Sequence, residues 1–216
     1  MVSAEKQPQY TFSQRSAQLE RSVMRELLKH AVDPGILSLA GGLPAGEMLP
    51  VQHLQDCANT VLAQQKAKAL QYGPPLMALR EWLADYMTER GVTCAPDNVF
   101  ITNGNQQGLQ LLSQLFLDRG DIAVTEQAVF TGIQQVTAGA GATVQTIPFD
   151  IHTGADLDAL EDLLKADPKP RLIVLIPDFH NPLGVSLSDG QRQRAAALAA
   201  EYGVPLVEDD AYSPLR

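Results

Sequence analysis

The chain has 216 residues, 45% of them hydrophobic and 6% aromatic, with a formal net charge of -9. That length supports one sizeable core of an ordinary α/β composition. The charge argues against a nucleic-acid surface, which needs a clustered basic footprint, but a phosphate can still be held by backbone amides at a helix start. No apolar run is long enough to span a bilayer, and the polar stretch Met1–Arg15 lacks the order of a signal peptide. Cys57 and Cys94 have no partner spacing for zinc or redox work. The expectation is a reduced, cytoplasmic protein with neither a membrane nor a nucleic-acid partner.

In chain order, Leu19, Val23, Leu27 and Leu28 fall at helical spacing and predict a helix over 16–31, stopped by Pro34-Gly35. Helices are predicted over 51–69 and 76–90; on the second, Leu79, Trp82, Leu83, Tyr86 and Met87 form a stripe expected to pack into a core. Val99–Thr102 reads as a strand, Gly104 as the turn after it, and the following residues to about Asp118 as a helix. Strand, glycine turn and helix start form a phosphate cradle, because free N–H groups and the helix dipole converge on one anion. Ile122–Glu126 is a further strand. The run 138–142 alternates Ala and Gly like a dinucleotide fingerprint, but it lies between a helix and the strand 143–148. That order is reversed for the motif and reads as a helix C-cap. A short helix follows over 156–164.

The last third carries the strongest pattern. Leu172–Pro177 is an apolar, β-branched run that breaks into Asp178-Phe179-His180-Asn181-Pro182-Leu183-Gly184. Ser188–Tyr202 predicts a crossover helix with Gly203 as its C-cap. Val204–Val207 is a second buried run, ending in Glu208-Asp209-Asp210-Ala211-Tyr212. This β-α-β unit delivers Asn181, Asp209 and Tyr212 to the carboxyl edge of a parallel sheet, where open α/β folds bind ligands. Walker, His-Glu-x-x-His and Gly-x-Ser-x-Gly motifs are lacking, and the four histidines are scattered.

Asn-Pro-Leu-Gly followed by Glu-Asp-Asp-Ala-Tyr resembles the pyridoxal-phosphate (PLP) aminotransferases of fold type I, class I/II. The likeness is greatest to the branch with aminoadipate and aromatic aminotransferases and MocR-type regulators, and it runs from about Leu19 to Arg216. The resemblance implies an α/β major domain with a mainly parallel sheet and helices on both faces. It implies a division into an arm and helix over 1–45, part of a small domain, and the N-terminal portion of the large PLP-binding domain over 46–216. It implies amino-acid and 2-oxo-acid substrates and a homodimer.

By the same resemblance, Gly104, Asn105 and Gln106 match the phosphate loop, with Asn105 where serine is commoner. Phe130 matches the ring that stacks on the pyridine, with a loop phenylalanine anchored to the core as the competing view. Asp209 pairs with the ring nitrogen, while Asn181 and Tyr212 donate to the ring oxygen. Glu208 and Asp210, by strand alternation, point to the other face. Tyr72 matches the tyrosine that reaches the cofactor phosphate of the other subunit, although the loop from Tyr72 to Leu79-Arg80 is contracted and lacks the family's glycine. Gly42 matches the glycine beside the substrate carboxylate, or is a plain turn glycine. Arg25 matches a position that covers the site, or is a solvated helix arginine. The family's Schiff-base lysine lies downstream of the Asp-x-Ala-Tyr motif. Lys6, Lys29, Lys66, Lys68, Lys165 and Lys169 do not match it, so the expectation is a piece of a longer enzyme, inactive as it stands. A PLP-sensing MocR-type effector domain and a lyase on the same fold are the alternatives.

Overall fold

A computed structural model describes residues 10–13, 16, 27, 33, 35–37, 42 and 44–215. The predicted helix over 16–31 falls almost wholly outside the described residues. The chain forms two compact units, one from Ser22–Ile101 and the other from Thr102–Arg216 with Met1–Arg21.

In the first unit, helix α1 (Val51–Gln65) is followed by a 3-10 segment, Lys66–Leu70. The predicted single helix breaks at Lys66, which takes a left-handed φ of 50°. Helix α2 spans Met77–Glu89. Arg80 on this helix holds the following turn, its Nε donating to the Pro96 carbonyl at 2.8 Å and its guanidinium pairing with Asp97. The predicted core stripe is only partly realised. Leu83, Tyr86 and Met87 are half-buried, Leu79 and Trp82 are exposed, and Trp82 stacks on Tyr86 with centroids 5.6 Å apart. The predicted strand at Val99–Thr102 is not one. Val99 has extended backbone, but no ladder forms among the described residues, and Phe100 is exposed.

The second unit holds the sheet. Helix α3 (Asn105–Phe116) precedes strand β1 (Ile122–Glu126), helix α4 (Thr131–Gly139) and strand β2 (Thr143–Ile147). A small antiparallel ribbon follows, β3 (Phe149–Asp150) with β4 (Gly154–Ala155), closed by Asp150 accepting from the His152 and Thr153 amides. Then come helix α5 (Leu157–Lys165), strand β5 (Leu172–Leu175), helix α6 (Asp189–Tyr202) and strand β6 (Leu206–Glu208). The ribbon is not legible in the sequence, because two-residue strands carry no periodicity.

The four main strands are parallel in the order β2-β1-β5-β6, with Val124 opposite Ile173 and Leu175 opposite Glu208. Every residue of β1 and β5 is buried, as continuous apolar runs covered on both faces require. Alternation divides them between two cores. Val124, Ile173 and Leu175 pack with Leu160, Leu164, Leu198 and Val204. Ala123, Leu172, Val174 and Ile176 pack with Leu109, Ile133 and Ala140. Thus α5 and α6 cover one face and α3 and α4 the other, which is the helix-on-both-faces α/β arrangement expected. Local signals set the helix ends. Asp156 accepts from the Asp158 and Ala159 amides, and Ser188 forms a capping box with Gln191. Gly203 ends α6 in the left-handed conformation, φ 64°. Among the described residues, no helix is long and apolar enough to cross a membrane.

Candidate functional site at the carboxyl edge of the sheet

Because β1, β5 and β6 run parallel, their carboxyl ends open together. The chain leaves them through Glu126, through the loop 177–187 and through Asp209. Helix α3 brings its amino terminus to the same edge. Gly104 precedes this helix with φ 78° and ψ 168°, and no side chain caps it. The N–H groups of Asn105, Gln106 and Gln107 have no helical acceptor, so this end presents donors and a positive dipole. Two side-chain bonds brace the turn: Thr102 donates to the Gly104 carbonyl at 2.9 Å, and the Gln107 side chain accepts from the Asn103 amide at 2.7 Å.

Asp209 follows β6 and is tied to β5 by its amide, which donates to the Leu175 carbonyl at 2.9 Å. Its side chain is buried, with 7% exposure. The Asn105 amide donates to its Oδ1 at 2.8 Å, joining the strand end to the turn before α3. Burial pushes the Asp209 carboxyl above its ordinary pKa; the Asn105 donor opposes this, and the Asp210 charge adds to the rise. Asp210 has a different task, accepting from the Ser213 amide and hydroxyl.

Asn181 and Tyr212 come from different strand ends and meet, with Asn181 Nδ2 donating to the Tyr212 hydroxyl at 3.4 Å. The loop that presents Asn181 is closed on itself. The Leu187 amide donates to the Pro177 carbonyl, and the His180 amide to the Val185 carbonyl, each at 2.8 Å. Phe179 sits at φ 45°, a strained conformation for a side chain of its size. The Ser186 hydroxyl offsets that strain by accepting from the Phe179 amide at 3.0 Å while donating to the buried Asp178 carboxylate. The Asp178 carboxylate in turn faces the Arg192 guanidinium at 3.7 Å.

On the other flank, Phe130 occupies the position just before α4, makes no side-chain capping bond and is 36% exposed. The Gln106 amide donates to the Gly132 carbonyl at 3.1 Å. A Cβ at Gly132 would overlap both the Gln106 side chain and the Phe130 ring. Gly132 is therefore a site residue that sequence reasoning missed; its signal was the glycine two places after the aromatic.

Beneath the site lies a second unforeseen feature. Glu126, at the end of β1, is fully buried and accepts from the Ile176 amide at 2.9 Å. Burial raises its pKa to about 7 despite that hydrogen bond. His180, also buried, stacks against Phe149 at 4.4 Å. Its Nδ1 faces the Leu183 amide at 3.5 Å, which leaves the ring proton on Nε2, 3.9 Å from Glu126 Oε1. Burial lowers the imidazole pKa, so both partners are driven toward their neutral forms. A buried Glu and a scattered His carry no periodic signal, and only the tertiary fold pairs them.

Gly104, Asn105, Gln106, Phe130, Asn181, Asp209 and Tyr212 are thus joined in one unit, through three side-chain links between elements. Tyr72 and Gly42 belong to the other unit. Tyr72 is fully exposed, and Gly42 has a left-handed φ of 52° with open space where a Cβ would stand. Arg25 lies outside the described residues. Of the lysines in 102–215, Lys165 pairs with Glu161 at the end of α5 and Lys169 donates to the Tyr202 carbonyl before β5. Both lie toward the amino ends of the strands, away from this edge.

A parallel α/β sheet with a carboxylate, an amide and a phenol at its carboxyl edge, beside an uncapped helix start, defines a class of open α/β proteins whose ligands sit at this edge. Comparison with known proteins narrows the class. Residues 34–215 match the family model described as aminotransferase class I and II, and the chain belongs to that family. It is 38% identical over 206 residues to the 2-aminoadipate transaminase of Thermus thermophilus, covering 94% of this chain and 50% of that protein. It is 35% identical over 212 residues to aromatic-amino-acid aminotransferase 1 of Thermococcus litoralis, covering 95% of this chain and 51% of that protein. Among solved structures, the α-aminoadipate aminotransferase LysN of Thermus thermophilus, complexed with N-(5'-phosphopyridoxyl)-L-leucine, superposes with a TM-score of 0.82. That match is 37% identical and covers 93% of this chain and 49% of that one. The chain spans about half the length of the relatives it matches.

Proposed function

We propose that the protein is a PLP-dependent aminotransferase that moves an amino group between an amino acid and a 2-oxo acid. The observation that carries this reading is the buried Asp209, bridged to the start of α3 and set beside the Asn181–Tyr212 pair. The donor set fits the cofactor at each polar position. The open amides of residues 105–107 suit its phosphate. The Asp209 carboxylate suits a protonated ring nitrogen, and Asn181 with Tyr212 suits the ring oxygen. The Phe130 ring is exposed enough to stack on a flat ligand.

When bound, the cofactor supplies an electron sink for bond breaking at the substrate α-carbon. The chain's own residues orient that sink and set its charge. Asp209, ionised against a cationic N–H, keeps the proton on the ring nitrogen. Asn181 and Tyr212 hydrogen-bond an anionic oxygen and favour its charged form. Phe130 excludes water from one face.

The same reading assigns residues 1–45 to a small domain and 46–216 to the large PLP-binding domain. It gives Tyr72 to the cofactor phosphate of a second subunit, Gly42 to the substrate carboxylate and Arg25 to the cover of the site. A homodimer in the cytoplasm completes it. Support for a covering subunit comes from Leu54, Tyr72 and Trp82, which the described part of the Ser22–Ile101 unit leaves exposed. The covalent lysine of this chemistry is supplied by neither Lys165 nor Lys169. The test is visible absorbance after desalting in the intact protein. The protein should retain the cofactor band and lose it in Asp209→Ala; an intact protein that never retains the cofactor ends the reading.

A further inference from the structure

The Asn105–Asp209 contact joins residues 104 positions apart across 2.8 Å, and so locks the turn before α3 to the end of β6. The two groups are unequal. Asp209 is buried at the sheet edge, whereas Asn105 is exposed. Among the described residues, no other side chain donates a hydrogen bond to this carboxylate. One oxygen is occupied, and Oδ2 has no side-chain donor among the described residues. An unpinned carboxylate at a strand tip would rotate; a bond to Oδ1 from a turn braced by Thr102 and Gln107 fixes the direction in which Oδ2 is offered.

The contact also commits the side chain at position 105. An amide donating to Asp209 is not directed at an anion lodged on the helix start, which is then left to the backbone N–H groups of the turn. Serine at this position could not make the same bond, because its hydroxyl ends one bond nearer the backbone.

We propose that Asn105 is a positioning residue, which orients the Asp209 carboxylate for the cofactor's ring nitrogen and leaves phosphate binding to the backbone of the turn. This rests on reading Asp209 as the ring-nitrogen partner. The charged and titratable groups facing Asp209 are Asp210 on its own strand end and Glu126 from β1, and neither is altered by a change at 105.

Two measurements on the intact protein test the proposal. In cofactor-free protein carrying carboxyl-labelled aspartate, the Asp209 resonance is assigned by its loss in Asp209→Asn. Its titration midpoint should rise by about one pH unit in both Asn105→Ala and Asn105→Ser, as removal of a donor to the charged form demands. An unmoved midpoint in both variants overturns the proposal, whether or not the protein binds PLP. The second measurement is PLP affinity by absorbance titration. Asn105→Ser should weaken binding about 10-fold in the wild-type background and by less than about 2-fold in Asp209→Asn. Equal losses in the two backgrounds would place Asn105 on the phosphate and overturn the positioning role. A protein that binds no PLP refutes the proposed function but leaves the carboxyl titration to decide the contact.

Discussion

At the scale of single residues, the site depends on side chains that hold other side chains. Gly132 is the sharpest case, since two expectations for it conflict. It lies in the first turn of α4 without a left-handed backbone, so alanine should suit the helix by up to ~1 kcal/mol. The built-in contact points the other way: a methyl group there would overlap the Phe130 ring and the Gln106 amide. Overpacking costs typically ~1–3 kcal/mol, so the clash should win. Gly132→Ala is expected to lower the melting temperature and to weaken PLP binding as Phe130 is displaced. A stabilised variant with unchanged affinity would show that propensity alone governs the position.

At the scale of elements, what the sequence showed and what it hid follow from the range of the forces involved. Strands β1, β5 and β6 were legible because each is a short apolar run with an abrupt polar end, and α6 because Ser188 and Gly203 mark its ends locally. Asn181, Asp209 and Tyr212 could be placed because they sit within a few residues of those strand ends. The acceptor of the Asn105 amide was not legible, since the contact spans 104 positions. The strand expected at Val99–Thr102 failed for the same reason: a strand is completed by a neighbour, and its own residues do not provide one. The loop 177–187 combines both situations. Its Asn-Pro-Leu-Gly core is visible in sequence, yet its shape depends on Ser186 bridging Phe179 and Asp178. Ser186→Ala removes one hydrogen bond from the strained Phe179 amide and one from the buried Asp178 carboxylate. It should cost ~1–3 kcal/mol in urea unfolding and weaken PLP binding by releasing Asn181. Unchanged unfolding would show that the loop holds its form without this hydroxyl.

At the scale of the whole molecule, the groups at the carboxyl edge set how stability depends on pH. Glu126 binds its proton at about 7 in the folded chain against an ordinary 4.5. A carboxyl raised in this way contributes stability that is present below the unfolded value and lost as pH climbs through the folded one. Between pH 4.5 and 7, the protein therefore loses ~3 kcal/mol through Glu126, at ~1.36 kcal/mol per pH unit. Asp209, raised by burial, acts in the same direction from just above its ordinary 3.8. His180 opposes them: its lowered pKa gives stability above 6.5 that is lost on acidification. On the surface, Asp150 is held low by the His152 and Thr153 amides, and Glu161 by Lys165 and Arg194. The stability linked to these two carboxylates is lost as pH falls through the acid range. The slopes of these groups therefore oppose one another, with Glu126 the group whose raised pKa lies nearest neutrality.

Glu126→Gln isolates the largest of these contributions, because glutamine can still accept from the Ile176 amide and cannot ionise. Relative to the wild type, the variant should gain up to ~3 kcal/mol between about pH 5 and about pH 8 in urea unfolding of the cofactor-free protein. A difference between variant and wild type that stays constant across that range would show that Glu126 is already ionised in the folded protein, with a pKa close to its ordinary one. A carboxyl that kept its proton in the fold throughout would instead give a difference still growing by ~1.36 kcal/mol per pH unit at about pH 8.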